Sequence, residues 1–160
     1  QQNIAQSPWP EAVQVHHADI LTWDAPLCRN YSVIVSNPPF FTPGVNCRSN
    51  ARQTARYTTT LSHQALLHRA QQRITADGRF CVILPVAVGE EFIALAQQDG
   101  WALRHCRRIS EFADRLPHRL LVELSLTAGD CTDDSLIIRE SSGEYSGDYR
   151  QLTGSFYLSH

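Results

Sequence analysis

The chain contains no methionine and no lysine, so all fourteen of its basic residues are arginine. Without Met there is no initiator residue, and Gln1-Gln2-Asn3 reads like the tail of a helix. The expectation is that further sequence precedes Gln1 in the intact protein. The formal net charge of -2 argues against a global basic field for nucleic acid. The five cysteines, Cys28, Cys47, Cys81, Cys106 and Cys131, are odd in number and form no CxxC pair. That speaks against a disulfide framework and against a zinc site, and points to a reducing cytoplasm. The longest strongly apolar stretch, Cys81 to Val88, is too short to span a bilayer, and no signal-peptide pattern opens the chain. Neither a membrane nor a metal is expected as a partner. There is no internal repeat and no low-complexity tract, and nothing in the sequence bears on oligomeric state.

What is present fits one domain of 160 residues with enough apolar content, 42%, for a core. Residues 1–6 read as a helix end, closed by Ser7-Pro8-Trp9-Pro10. Val13 to His17 alternates like a short strand. Ser32 to Ser36 is a β-branched apolar run of the buried parallel type, ending at Asn37-Pro38-Pro39-Phe40. Leu61 to Ile74 has helical spacing with Ser62 as N-cap. Asp77-Gly78 reads as a turn, Arg79 to Leu84 as a strand, and Gly89 to Gln98 as a helix closed at Gly100. Trp101 to Ile109 and Arg119 to Thr127 are two more strands around a polar loop. Leu136 to Ile138 fits a short strand, and Ser146 to Leu158 has room for a helix. Helical crossovers imply parallel strands, and the closing pair of adjacent strands implies an antiparallel one. The fold class expected is α/β: an open Rossmann-like sheet with helices on both faces and a terminal antiparallel strand.

The tetrapeptide Asn37-Pro38-Pro39-Phe40 falls at the carboxyl end of a buried strand, where ligands bind in open α/β sheets. Its chemistry suits a planar NH2 group. The amine of adenine is a poor nucleophile because its lone pair is shared with the ring. Two acceptors aimed at its two hydrogens would draw the nitrogen toward a tetrahedral shape. The Asn37 side-chain oxygen can be one acceptor and the Pro38 carbonyl the other. Consecutive prolines fix φ and bring no competing N–H, and Phe40 offers a ring for a flipped base. The plainer alternative is that Pro-Pro ends a strand and Phe40 packs. Arg48, Arg52 and Arg56 follow at i, i+4, i+8, a basic stripe on a helix that suits phosphates or simply a solvated face. Arg115 and Arg119, with His118, form a second basic edge or a loop anchor. His16, His63, His68 and His105 show no ligand spacing.

Ser36-Asn37-Pro38-Pro39-Phe40 resembles the catalytic motif of amino-directed Rossmann methyltransferases. Gln6 to Glu11, Ala55 to Leu61 and Arg115 to Arg119 sharpen the resemblance to the bacterial tRNA1(Val) (adenine-N6)-methyltransferase family, from Gln1 to about Tyr157. The resemblance implies S-adenosyl-L-methionine as cofactor, tRNA as partner, and transfer of a methyl group to N6 of adenine 37, the adenosine 3′ to the anticodon. It implies Asn37, Pro38, Pro39 and Phe40 as the catalytic set. It also implies Asp19 and Ile20, with Asn37, as cofactor contacts: Asp19 accepting from the cofactor's adenine amine and Ile20 packing on that ring. The alternative for Asp19 is a turn or helix cap. The family's glycine-rich loop and ribose-binding acid are absent from residues 1–160, so the chain resembles the C-terminal two-thirds of one methyltransferase domain. On that basis the chain by itself is expected to bind S-adenosylmethionine poorly. The tetrapeptide alone also fits an rRNA guanine-N2 methyltransferase, a protein-glutamine methyltransferase, or a non-catalytic RNA-binding remnant.

Overall fold

A computed structural model describes residues 2–23, 30–39 and 62–156. A short helix α1 (Gln2–Ala5) and a 3-10 turn (Pro10–Ala12) precede strand β1 (Tyr31–Ser36). Helix α2 (His63–Gln71), strand β2 (Ile74–Pro85) and helix α3 (Val86–Gln98) follow. Strands β3 (Ala102–Ser110), β4 (Arg119–Ser125) and β5 (Thr132–Ile137) and helix α4 (Gly147–Thr153) complete the order. The sheet runs β1-β2-β4-β3-β5. β1 is parallel to β2, β3 is parallel to β5, and β4 is antiparallel to both of its neighbours, β2 and β3. This is an α/β Rossmann-like sheet. The antiparallel strand expected toward the end of the chain is β4. It lies inside the sheet, and β5 closes the edge beyond β3.

Local signals place most elements. Ser62 caps α2, its hydroxyl accepting from the Ala65 N–H at 3.0 Å. Gly100 ends α3 with φ +87°, the left-handed conformation that glycine adopts without strain. Alternation on β2 and β4 sends Phe80, Val82, Leu84, Leu120, Val122 and Leu124 to one face. Leu66, Leu67 and Ala70 of α2 and Val88, Phe92 and Ala96 of α3 cover that face. Gly89 lets α3 lie directly on β4: a Cβ there would come within 2.9 Å of Leu120 Cδ1.

Three expectations need correction. Residues 13–17 form no strand. They pair with none of the described strands, and Val13 and Val15 are half exposed. Alternation supplies a pattern, but a strand exists only where a neighbour completes its ladder. Helix α2 ends at Gln71, so Ile74 starts β2 instead of extending the helix. Asp77-Gly78 is not a free turn but part of β2. Between two ladder pairs β1 advances from Tyr31 to Val33 while β2 advances from Ile74 to Arg79, so the dipeptide sits in a bulge.

The β3–β5 edge is held by charge as well as by its ladder. Arg107 forms a fork on Asp134 (Nε to Oδ1 2.8 Å, Nη2 to Oδ2 2.7 Å), and His105 Nε2 lies 3.0 Å from Asp134 Oδ1. Arg108 pairs with Asp133 beside it. The Arg107 guanidinium holds the Asp134 carboxyl well below the usual carboxylate range. Partial burial opposes this and His105 adds to it. A carboxyl with a depressed folded pKa contributes stability that is complete above its unfolded value, about 3.9, and is lost as pH falls toward the folded one. Asp134→Asn is therefore expected to flatten the fall in melting temperature below roughly pH 4. The side chains are about one-third exposed, so the effect should be modest and smaller in high salt. Thermal melts from acid to neutral pH at two salt concentrations check it; parallel curves for both proteins would remove the pair from the account.

Candidate active site

β1 carries the motif to the carboxyl end of the parallel strands. Ser36 pairs with Val82 in the last pair of the β1–β2 ladder, and Asn37, Pro38 and Pro39 follow directly beyond it. Pro38 is buried, whereas Asn37 and Pro39 are exposed. Burial of Pro38 pins the backbone, and the extended conformation that proline imposes on its predecessor leaves the Asn37 amide projecting from a fixed base. Asn37 continues the row of Val33 and Val35, on the face away from α2 and α3. There it lines an open cavity of about 360 Å³ with Cys81, Ile83, Leu121, His105 and Arg107. Burial pushes the Cys81 thiol up, and Glu123 adds to this, which makes it a poor nucleophile at neutral pH. Phe40, Arg48, Arg52 and Arg56 lie outside the described residues.

β3 ends, and β4 begins, at this same rim. Arg119 pairs with both Pro85 and Ile109. Arg115 and His118 are exposed on the loop between these strands, and Arg119 is half-buried at its end. The fold thus brings Asn37 and the Arg115–Arg119 edge to one side of the sheet. Within the loop, the His118 N–H donates to the Ile109 carbonyl at 2.9 Å.

Asp19 and Ile20 do not line the cavity that Asn37 lines. Asp19 Oδ1 accepts from the Leu21 N–H at 2.9 Å, which is the turn-capping alternative. The Ile20 carbonyl accepts from Arg69 Nε at 3.0 Å, and Arg69 also binds the Trp23 carbonyl. Ile20 and Trp23 line a separate cavity of about 220 Å³ with Tyr31, Val33, Ile34, Leu66 and Arg69. Val33 and Ile34 point to opposite faces, so this cavity straddles the edge of β1. It stops three residues short of Asn37, on the order of 10 Å along a strand. Among the described residues no cluster of three or more His, Cys, Asp or Glu could hold a metal ion, and no helix is long and apolar enough to cross a membrane.

The strand order and the crossover helices are those of an open Rossmann-like sheet. A predicted O-methyltransferase of Agrobacterium tumefaciens shares it, with TM-score 0.59 and 15% identity over 89% of this chain and 62% of that one. In sequence the chain is 48% identical over 157 residues to a tRNA1(Val) (adenine(37)-N6)-methyltransferase of Cronobacter sakazakii. It is 46% identical over 158 residues to the proteins of the same name in Salmonella enteritidis and Escherichia coli O157:H7. These alignments take in 98–99% of this chain and 64% of each relative, so the chain spans somewhat less than two thirds of their length. No family model matches the chain.

Proposed function

We propose that the protein containing this chain transfers a methyl group from S-adenosyl-L-methionine to N6 of the adenine 3′ to the anticodon, adenine 37, in a valine tRNA. The observation that carries this reading is the placement of Asn37-Pro38-Pro39: a buried proline fixing an exposed amide at the carboxyl end of a parallel strand. Similarity over nearly the whole chain to enzymes named for that reaction supports it. S-adenosylmethionine, when bound, supplies the methyl group. The chain's own residues hold and prepare the acceptor. The Asn37 side-chain oxygen and the Pro38 carbonyl accept from the two amine hydrogens, shifting electron density onto the nitrogen. Phe40 stacks on the base. Arg48, Arg52, Arg56, Arg115 and Arg119 contact phosphates and set the register of the RNA without reading its sequence. Reaction of the full-length gene product with unmodified tRNA, followed by mass analysis of the nucleosides, tests this. N6-methyladenosine is expected; methylated guanosine would move the substrate to another NH2 acceptor.

The arginines give a separate prediction. Replacing Arg48, Arg52 and Arg56 together by Ala should weaken tRNA binding and lower the slope of log affinity against log salt by about 0.7–0.9 for each phosphate that an arginine no longer neutralises. Binding titrations across a salt series check it, and an unchanged slope would return the stripe to a solvated face.

A further inference from the structure

Leu116 is 89% exposed, the most exposed large apolar side chain among the described residues. It stands on the β3–β4 loop, at the rim that carries Asn37. That loop is held firmly. The Arg115 N–H donates to the Phe112 carbonyl at 3.1 Å and the His118 N–H to the Ile109 carbonyl at 2.9 Å. At the loop's start, Arg139 Nε donates to Glu111 Oε1 at 2.9 Å, and the Arg139 N–H donates to the Glu111 carbonyl at 2.9 Å. Pro117 is half-buried and confines Leu116 to an extended backbone. A rigid loop therefore holds an apolar side chain in water, flanked by the exposed cation Arg115 and by His118. Asp114 is the exposed carboxylate of the turn, while Glu111 is occupied by Arg139.

We infer that Leu116 is a wedge for RNA: it enters the stack of the substrate loop beside the target purine and fills the space that base leaves when it swings toward Asn37. The inference rests on the function proposed above. The geometry suits it. Arg119 lies two strand spacings from β1, about 10 Å, roughly the length of three stacked nucleotides at about 3.4 Å each. An unpaired adenine in a loop is still stacked on its neighbours, and leaving that stack carries a cost. An inserted apolar side chain offsets it by covering the neighbouring base. Arg115, next to it, is placed for the backbone phosphates instead. Leu116 is thus a positioning residue that acts through the RNA, not on the reacting atoms.

The two residues should separate in one experiment on the full-length gene product and an anticodon stem-loop RNA. One RNA carries adenine at the target position and a second carries 2-aminopurine, which brightens when unstacked. Leu116→Ala should lower both the fluorescence rise and the single-turnover methylation rate by roughly tenfold or more, the scale of removing one stacking partner. RNA affinity, its salt slope and the melting temperature should stay near wild type, and Leu116→Met should restore the rate. Arg115→Ala should do the reverse, weakening binding and flattening the salt slope while saturating RNA still brightens fully. Equal fluorescence and rate in Leu116→Ala and wild type would overturn the wedge while leaving the methyltransferase reading intact. A fall in melting temperature that accounts for the slower rate would also overturn it, making Leu116 a loop anchor. Absence of N6-methyladenosine with the wild-type protein would instead sink the function on which it rests.

Discussion

Asn37→Ala in the full-length gene product is expected to lower turnover at least about 10²-fold, the scale of removing one preorganised group from a charge-stabilising pair. The fold should survive. Asn37 is exposed, follows the last residue of β1, and lies beside Pro38, whose burial fixes the local backbone. Its amide is therefore free to serve a substrate. Truncation removes the side-chain acceptor and leaves the Pro38 carbonyl as the second one. The base can still bind and stack, so RNA affinity should change little and the loss should fall on kcat. Single-turnover rates at saturating RNA, with a binding titration alongside, separate the two effects. Wild-type kcat in the variant would refute the role given to Asn37, and a loss confined to KM would make it a binding residue only.

Phe80→Ala should have the largest effect on stability, about 3–5 kcal/mol. Phe80 is fully buried on β2, with ring centroids 6.3 Å from Phe92 and 5.6 Å from Trp101. It joins the sheet to α3 and to the start of β3. Its removal leaves a cavity whose walls belong to three elements that cannot all move inward. A domain of this size is stable by only about 5–15 kcal/mol, so the loss is a large fraction of the total. The site would suffer with it, because β2 is the described strand on which β1 pairs. Denaturant melts of the two proteins measure the effect, with Leu116→Ala as the exposed control. A change below about 1 kcal/mol would mean the core closes over the gap, contrary to close packing.

Much of the site could be read along the chain. The β-branched run of β1, the two prolines that stop it and the Ser62 cap of α2 are short-range signals, each complete within a few residues. The chemistry of an amide oxygen beside a proline carbonyl is equally local. The Asp19 turn was legible only as two alternatives. The structure shows its side chain capping the turn, and a contact 49 residues away, Arg69 to the Ile20 carbonyl, ties that turn to α2. The role of Leu116 gave no local signal either, since a leucine in a loop sequence does not announce whether it is covered.

By itself the sequence determined most of the element types, the class of sheet, and the motif with the chemistry it can perform. Those depend on periodicity, capping and functional groups carried by neighbouring residues. Only the tertiary structure decided that β4 inserts between β2 and β3, that residues 13–17 have no ladder partner among the described strands, and that Asp77-Gly78 is a bulge. It likewise decided that the β3–β4 loop shares a rim with Asn37. Each of these is a relation between segments far apart in the chain. A hydrogen-bond ladder or a shared rim comes into being only when two such segments meet, and no property of either one alone specifies the other.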